Sequence, residues 1–209
     1  MPKTFVYTEL QISLPIAEAP WPEINDAIKT HPGFKNKTWL QGYGTNSLGG
    51  FYAFDDLASA QKFVTGYFPG EATKFGVAQM TRIFDGTTTA DASRDLNSVH
   101  YDTELSQPPG AFVYTELQVN VPFETFPWQD RNAILKSTPG LISKTWLSGH
   151  DTNTLGGFDA FDSVENAQGF ALHSFPKVAE SLGSAFITRI FDASITAKMS
   201  RDMRSPFYT

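Results

Sequence analysis

The chain contains no cysteine in its 209 residues, which excludes disulfides, zinc–thiolate sites, iron–sulfur clusters and thiol nucleophiles together. It has no block of basic residues either: 16 Lys and Arg stand against 22 Asp and Glu, for a net charge of -6, so no surface for a nucleic-acid backbone is expected. Long apolar runs are missing, and MPKTFVYTEL has no charged start leading into an apolar stretch of signal-peptide length; a cytoplasmic location away from membranes is expected. There is no HxxxH-type ligand spacing and no glycine-rich loop that opens a helix, since the LGGF glycines open a strand. No metal and no cofactor are therefore expected. What remains, 41% hydrophobic and 14% aromatic residues, suffices for a sizeable core.

The sequence is written twice. FVYTELQ begins at Phe5 and again at Phe112, an offset of 107 that never slips. It carries Trp21 onto Trp128, Trp39 onto Trp146, Gly49-Gly50 onto Gly156-Gly157, RIFD at Arg82 onto RIFD at Arg189, and SRD at Ser93 onto SRD at Ser200. Roughly half of the positions between Phe5 and Leu96 recur, too few units for a solenoid but enough for a duplicated domain. Residues 1–96 form one repeat and 112–209 the other with its C-terminal tail, joined by the polar stretch 97–111, which ends in Pro-Pro-Gly-Ala.

Within one repeat, Phe5 to Leu14 reads as a strand closed by Pro15. Trp21 to Thr30 has prolines at its entry and His31-Pro32-Gly33 at its exit, the punctuation of a helix. Lys35–Gln41 and Gly49–Asp55 pair as a hairpin. A helix capped by Asp55 or Asp56 runs to about Tyr67, is interrupted at Pro69-Gly70, and resumes briefly to Phe75; Val77–Asp85 is the last strand. The order βαββαβ is the ferredoxin-like, α+β arrangement, with helices on one sheet face. The other face is also apolar: Phe51 and Ala53 point one way, Tyr52 and Phe54 the other. A lone repeat would expose one face, so two repeats should cover each other as a sandwich or barrel, an intramolecular pseudo-dimer. Further homo-oligomerisation stays open.

HPGFKNKTW, the polar loop, GGFYAFDD and the strand ending RIFD together resemble the YdhR-type monooxygenases of the dimeric α/β-barrel superfamily, and the second repeat keeps the pattern with PGL and GGFD. The resemblance implies a dimeric barrel with a pocket in each half. It also implies kinship to cofactor-free monooxygenases that oxidise phenolic or polyketide-like aromatics. The family's usual members are single repeats that pair as homodimers; here the pair is fused.

Candidate chemistry lies on three strands. Lys37 with Trp39, and Lys144 with Trp146, share a face of the second strand of each repeat and could line a pocket for an electron-rich ring, or be a core indole with a lysine lying along it. Tyr7 and Glu9 recur as Tyr114 and Glu116. With Arg82 and Arg189 at hand, the glutamates are either general bases or halves of buried ion pairs. The copies disagree where Tyr52 becomes Asp159, Tyr43 becomes His150, Gly44 becomes Asp151 and Gly66 becomes His173. The second half thereby gains acid–base groups. Asp159, in mid-strand, needs either a cation or a use; His150 is a further acid–base candidate in a loop. The expected activity is cofactor-independent monooxygenation of an aromatic or polyketide-like molecule. The same pocket could run a cofactor-free cyclisation, lyase or isomerase reaction, or simply bind a hydrophobic small molecule.

Overall fold

The computed structural model describes residues 4–208. Each repeat has the expected βαββαβ order with ends shifted by a few residues, and a further short helix follows its last strand. The first contains β1 (Thr4–Leu10), α1 (Trp21–Lys29), β2 (Phe34–Gln41), β3 (Leu48–Phe54), α2 (Leu57–Lys62), α3 (Phe68–Phe75), β4 (Gln79–Asp85) and α4 (Ala90–Arg94). The second contains β5 (Ala111–Leu117), α5 (Trp128–Leu135), β6 (Leu141–Ser148), β7 (Leu155–Phe161), α6 (Val164–Gly169), α7 (Phe175–Ser181), β8 (Phe186–Asp192) and α8 (Ala197–Asp202). Two four-stranded antiparallel sheets result, ordered β2-β3-β1-β4 and β6-β7-β5-β8.

The strand period of two then distributes side chains between two environments. Phe5, Tyr7, Phe51 and Phe84 pack with Phe112, Tyr114, Phe158 and Phe191 in one core between the sheets. Phe51 stacks on its own copy Phe158, centroids 4.4 Å apart. Burying each such ring contributes about 1.5–3 kcal/mol. On the opposite faces, Val6, Trp39, Tyr52 and Phe54 pack under the first repeat's helices, and Val113, Trp146 and Phe161 under the second's. The sheet edges also meet: Gly42 bridges to Phe191 and Gly149 to Phe84, and the Tyr43 and His150 amides donate to the Ile190 and Ile83 carbonyls at 2.7 and 2.8 Å. With these edges joined, the two sheets form a barrel.

The helix expected to break at Pro69-Gly70 runs through instead. A π-helical turn, Phe63–Tyr67, sits between α2 and α3, so Pro69 occupies the first turn of a new α-segment, where its missing N–H costs little. Asp56 provides the cap at the start of α2, accepting from the Ser59 amide at 2.8 Å.

The segments after β4 and β8 cross over. Ser93 Oγ accepts from the Trp146 amide at 2.9 Å and Ser200 Oγ from the Trp39 amide at 2.9 Å. Asp95 holds Asn132 and Lys136 at 2.9 and 2.6 Å, and Asp202 holds Asn25 and Lys29 at 2.8 and 2.7 Å. This is the structural use of the repeated SRD. The crossover continues into the stretch read as linker, where Val99, His100 and Tyr101 are buried, matching Phe207 and Tyr208 at the end of the second repeat.

Candidate functional site

The sheet divides the candidate residues into two groups that never meet. Tyr7, Glu9 and Arg82, with Tyr114, Glu116 and Arg189, belong to the inter-sheet side. There the Tyr7 hydroxyl donates to Glu9 at 2.7 Å and Tyr114 to Glu116 at 2.6 Å. Arg189 pairs with Glu9 at 3.0 Å, and Arg82 with Glu116 at 3.1 Å. Each glutamate is thus neutralised by the other repeat. Burial, reinforced by the adjacent glutamates, pushes both tyrosine pKa values well above their usual range.

Lys37, Trp39 and Tyr52, with Lys144, Trp146 and Asp159, face the helices. In the second repeat, helices α5 and α7 stand off the sheet and leave a cavity of about 330 Å³. Leu117, Phe126, Leu155, Phe170 and Phe175 are among its apolar walls, and Lys144, Trp146, Arg131 and Asp130 are among its polar groups. Trp146 is held edge-on by Asn132, whose Oδ1 accepts from the indole Nε1 at 2.8 Å, and Asn132 is itself anchored on the Ala92 carbonyl. Lys144 lies 4.6 Å from the centre of the Trp146 ring. It reaches the cavity because Gly157 has no Cβ; one built there would strike the ammonium. The LGG of the repeat thus opens a niche for the lysine.

Asp159 is wholly buried and does not line the cavity. Its Oδ1 holds Lys144 at 2.7 Å, while its Oδ2 has no partner among the described residues. Burial raises the Asp159 pKa and lowers that of Lys144; their mutual attraction opposes both shifts. Asp159 is thus linked to the cavity by its contact with Lys144.

The first repeat lacks this space. The matching void measures about 30 Å³. Tyr52 and Phe75 border it where the second repeat has Asp159 and Leu182, and Glu71 stands where the second has Val178. Lys37 has no Asp159 counterpart and lies 2.9 Å above the centre of the Trp39 ring. Burial lowers its pKa well below the usual range, opposed by the Glu71 charge.

His150 sits elsewhere, in a surface cleft with Asp56 and Asp85, its Nε2 3.1 Å from Asp151; His173 is exposed in a π-helical turn. The four acid–base candidates Glu9, Glu116, His150 and Asp159 therefore do not converge. Sequence reasoning missed Arg131, although Ile24 occupies its place in the first repeat and the same comparison of copies that singled out Asp159 reveals it. It also missed Asn25 and Asn132, identical at matched places on helices α1 and α5. Among the described residues, no group of three or more His, Cys, Asp or Glu could hold a metal, and no helix is long and apolar enough to cross a membrane.

The architecture is that of an intramolecular dimeric α/β barrel built from two ferredoxin-like halves. The model of the family described as "Putative mono-oxygenase ydhR" matches residues 12–92, within the first repeat. Similar solved structures include a "putative monooxygenase from Lactobacillus acidophilus", 11% identical, TM-score 0.52, covering 91% of this chain and 93% of that one. An "anthrone oxidase-like protein" is 13% identical with TM-score 0.58, covering 92% and 91%. A "Putative monooxygenase" from Fusobacterium nucleatum is 10% identical with TM-score 0.51, covering 91% and 92%. Coverage near nine-tenths on both sides means that the whole two-repeat arrangement is shared. No curated protein matches the chain.

Proposed function

We propose that this chain is a cofactor-independent monooxygenase for a flat aromatic or polyketide-like molecule and that its one working pocket is the cavity of the second repeat. The carrying observation is the apolar cavity of about 330 Å³ with Lys144 and the Trp146 ring in its wall, opposite a nearly closed counterpart. A phenol or activated methylene stacks on Trp146, and the Lys144 ammonium favours its ionised form by lying against the phenolate or enolate oxygen. The proton leaves to water at the mouth, where Val121, Ile134 and Leu182 are exposed. An electron-rich anion of this kind reduces oxygen itself. For a methylene, both C–H bonds break and a carbonyl forms in their place; one atom of dioxygen becomes the carbonyl oxygen, and the other leaves as water with the two hydrogens. The substrate supplies all the electrons, and no external reductant enters. The monooxygenase family match and the fold neighbour described as anthrone oxidase-like support this reaction class.

The test is oxygen uptake with an anthrone-type tricyclic ketone, using labelled oxygen to follow one atom into product. Uptake that matches product formation is expected. Turnover proceeding equally under nitrogen would point instead to a cyclase, lyase or isomerase, and tight binding without turnover to a binding protein.

A further inference from the structure

Arg131 is the one cationic cavity group that the reaction above does not use. It projects from α5 into the lining of the second cavity, half-buried, and its guanidinium makes no hydrogen bond or ion pair with any other described residue. The carboxylate whose charge it feels is Asp159, and Asp159 is already bonded to Lys144 at 2.7 Å. Its neighbour Asp130 also borders the cavity but is exposed to solvent.

Comparing the repeats turns this into a charge count. The first repeat's wall sets one cation, Lys37, against one anion, Glu71. The second repeat replaces Glu71 by Val178, Tyr52 by Asp159 and Ile24 by Arg131. Its lining thus holds two cations, Lys144 and Arg131, with the buried Asp159 behind Lys144 and the solvent-exposed Asp130 at the rim, in a space of about 330 Å³ rather than about 30 Å³. A guanidinium drawn into apolar surroundings is costly unless an anion meets it, and its fork of N–H donors matches a carboxylate in two-point geometry.

Building on the proposed function, we infer that Arg131 is a specificity-determining residue and that the ligand of this cavity is an aromatic carboxylate, its acid group bound by Arg131 while its ring system fills the apolar space beside Trp146. The two cations divide the work. Arg131 fixes one end of the molecule, and Lys144 addresses the reacting oxygen.

The test measures binding of 9-anthracenecarboxylate and 9-anthracenecarboxamide to the full chain by calorimetry, for the native protein, Arg131→Ile and Arg131→Lys. Isoleucine is the first repeat's own residue at this position, and thermal unfolding controls for the fold. The carboxylate should bind the native protein at least about tenfold more tightly than the amide, as charged hydrogen bonds to a guanidinium warrant. Arg131→Ile should abolish that preference while changing amide affinity little, and Arg131→Lys should retain part of it. Equal binding of the two probes to the native protein, a preference that survives Arg131→Ile, or no binding of either probe would overturn the inference. Failure of the enzymatic reading looks different: an Arg131-dependent carboxylate preference in a protein that consumes no oxygen with any aryl ketone leaves this inference standing and removes the monooxygenase.

Discussion

Tyr7 and Tyr114 lie ring on ring where the two repeats meet, centroids 4.0 Å apart and planes 3° apart. They are the same residue of the repeat, so the pseudo-twofold axis passes between them. Each hydroxyl donates to the glutamate two residues along its own strand, and each glutamate pairs with an arginine of the other repeat. The central contact thus couples aromatic stacking to two interlocked ion pairs, the glutamates buried and the arginines partly exposed.

Removing one arginine should therefore cost more than a surface pair does. Arg189→Met leaves the buried Glu9 carboxylate its Tyr7 hydrogen bond but no cation, and a loss of about 1–3 kcal/mol is expected, moderated because the guanidinium side remains in touch with water. Adding Glu9→Gln should recover much of it, since the stranded charge is then gone. Urea unfolding of the single and double variants reads this directly. Equal stability of Arg189→Met and the native protein would show the pair to be incidental.

The first repeat alone should not persist as a monomer. It would expose Phe5, Tyr7, Phe51 and Phe84 together, and it would lose Ser200, Asp202 and Met203, which dock on α1 and β2. Residues 1–101 expressed alone should pair with a second copy or aggregate. Sedimentation showing a monodisperse folded monomer would contradict this.

His100 makes a pH-dependent prediction. It is buried among Phe5, Phe51 and Phe207, neither ring nitrogen has a partner among the described residues, and burial pushes its pKa down to about 3. A folded-state value below the unfolded one means that the unfolded chain takes up the proton first. Stability is then undiminished above the ordinary histidine pKa and falls as the pH drops below it, by about 2 kcal/mol at pH 5. The matched residue in the second repeat is Phe207, so His100→Phe should remove this acid sensitivity and raise stability at pH 5 more than at pH 8. Parallel stability–pH curves for the two proteins would refute it.

Most of the fold was legible because duplication tests every reading twice: each strand, cap and hairpin had to make sense in both copies. The barrel followed from apolar bulk on both faces of β3. The crossover was harder to see, since Ser93 and Trp146 or Ser200 and Trp39 meet only after the sheets have paired. Even so, the match of His100-Tyr101 to Phe207-Tyr208 extends the repeat into the presumed linker. The π-helical turn before Pro69 depends on how α2 and α3 share the face of one sheet, which no local pattern encodes. At the site, the sequence singled out Lys144 with Trp146 and, separately, Asp159, whose cation could be Arg189 or Lys144; the structure pairs it with Lys144 and gives Arg189 to Glu9, and that Glu116 lies on the other side of the sheet was not read. The cavity itself is a difference in side-chain bulk between copies, and it becomes visible only once Tyr52 and Phe75 are seen to border the same void.

The final prediction concerns that Lys144–Asp159 pair and separates positioning from packing. If Lys144 stabilises an ionised substrate, it must be protonated, and Asp159 at 2.7 Å opposes the burial that lowers its pKa. Asp159→Asn removes the opposing charge, so the lysine pKa falls further and the ammonium survives only at lower pH. The alkaline limb of the kcat/KM profile should therefore move to lower pH in Asp159→Asn, with turnover at pH 8 reduced by about 100- to 1,000-fold, the usual cost of losing one charge-stabilising donor. Lowering the pH should restore part of the activity, which a merely damaged cavity would not do. Lys144→Met should lose activity at every pH. Tyr52→Phe, in the nearly closed first repeat, should leave the profile unchanged, because among the described residues that hydroxyl's hydrogen-bond partner is Thr8, at 3.5 Å. If Asp159→Asn loses activity by the same factor at all pH values while its unfolding midpoint drops, Asp159 serves only to hold the second repeat together.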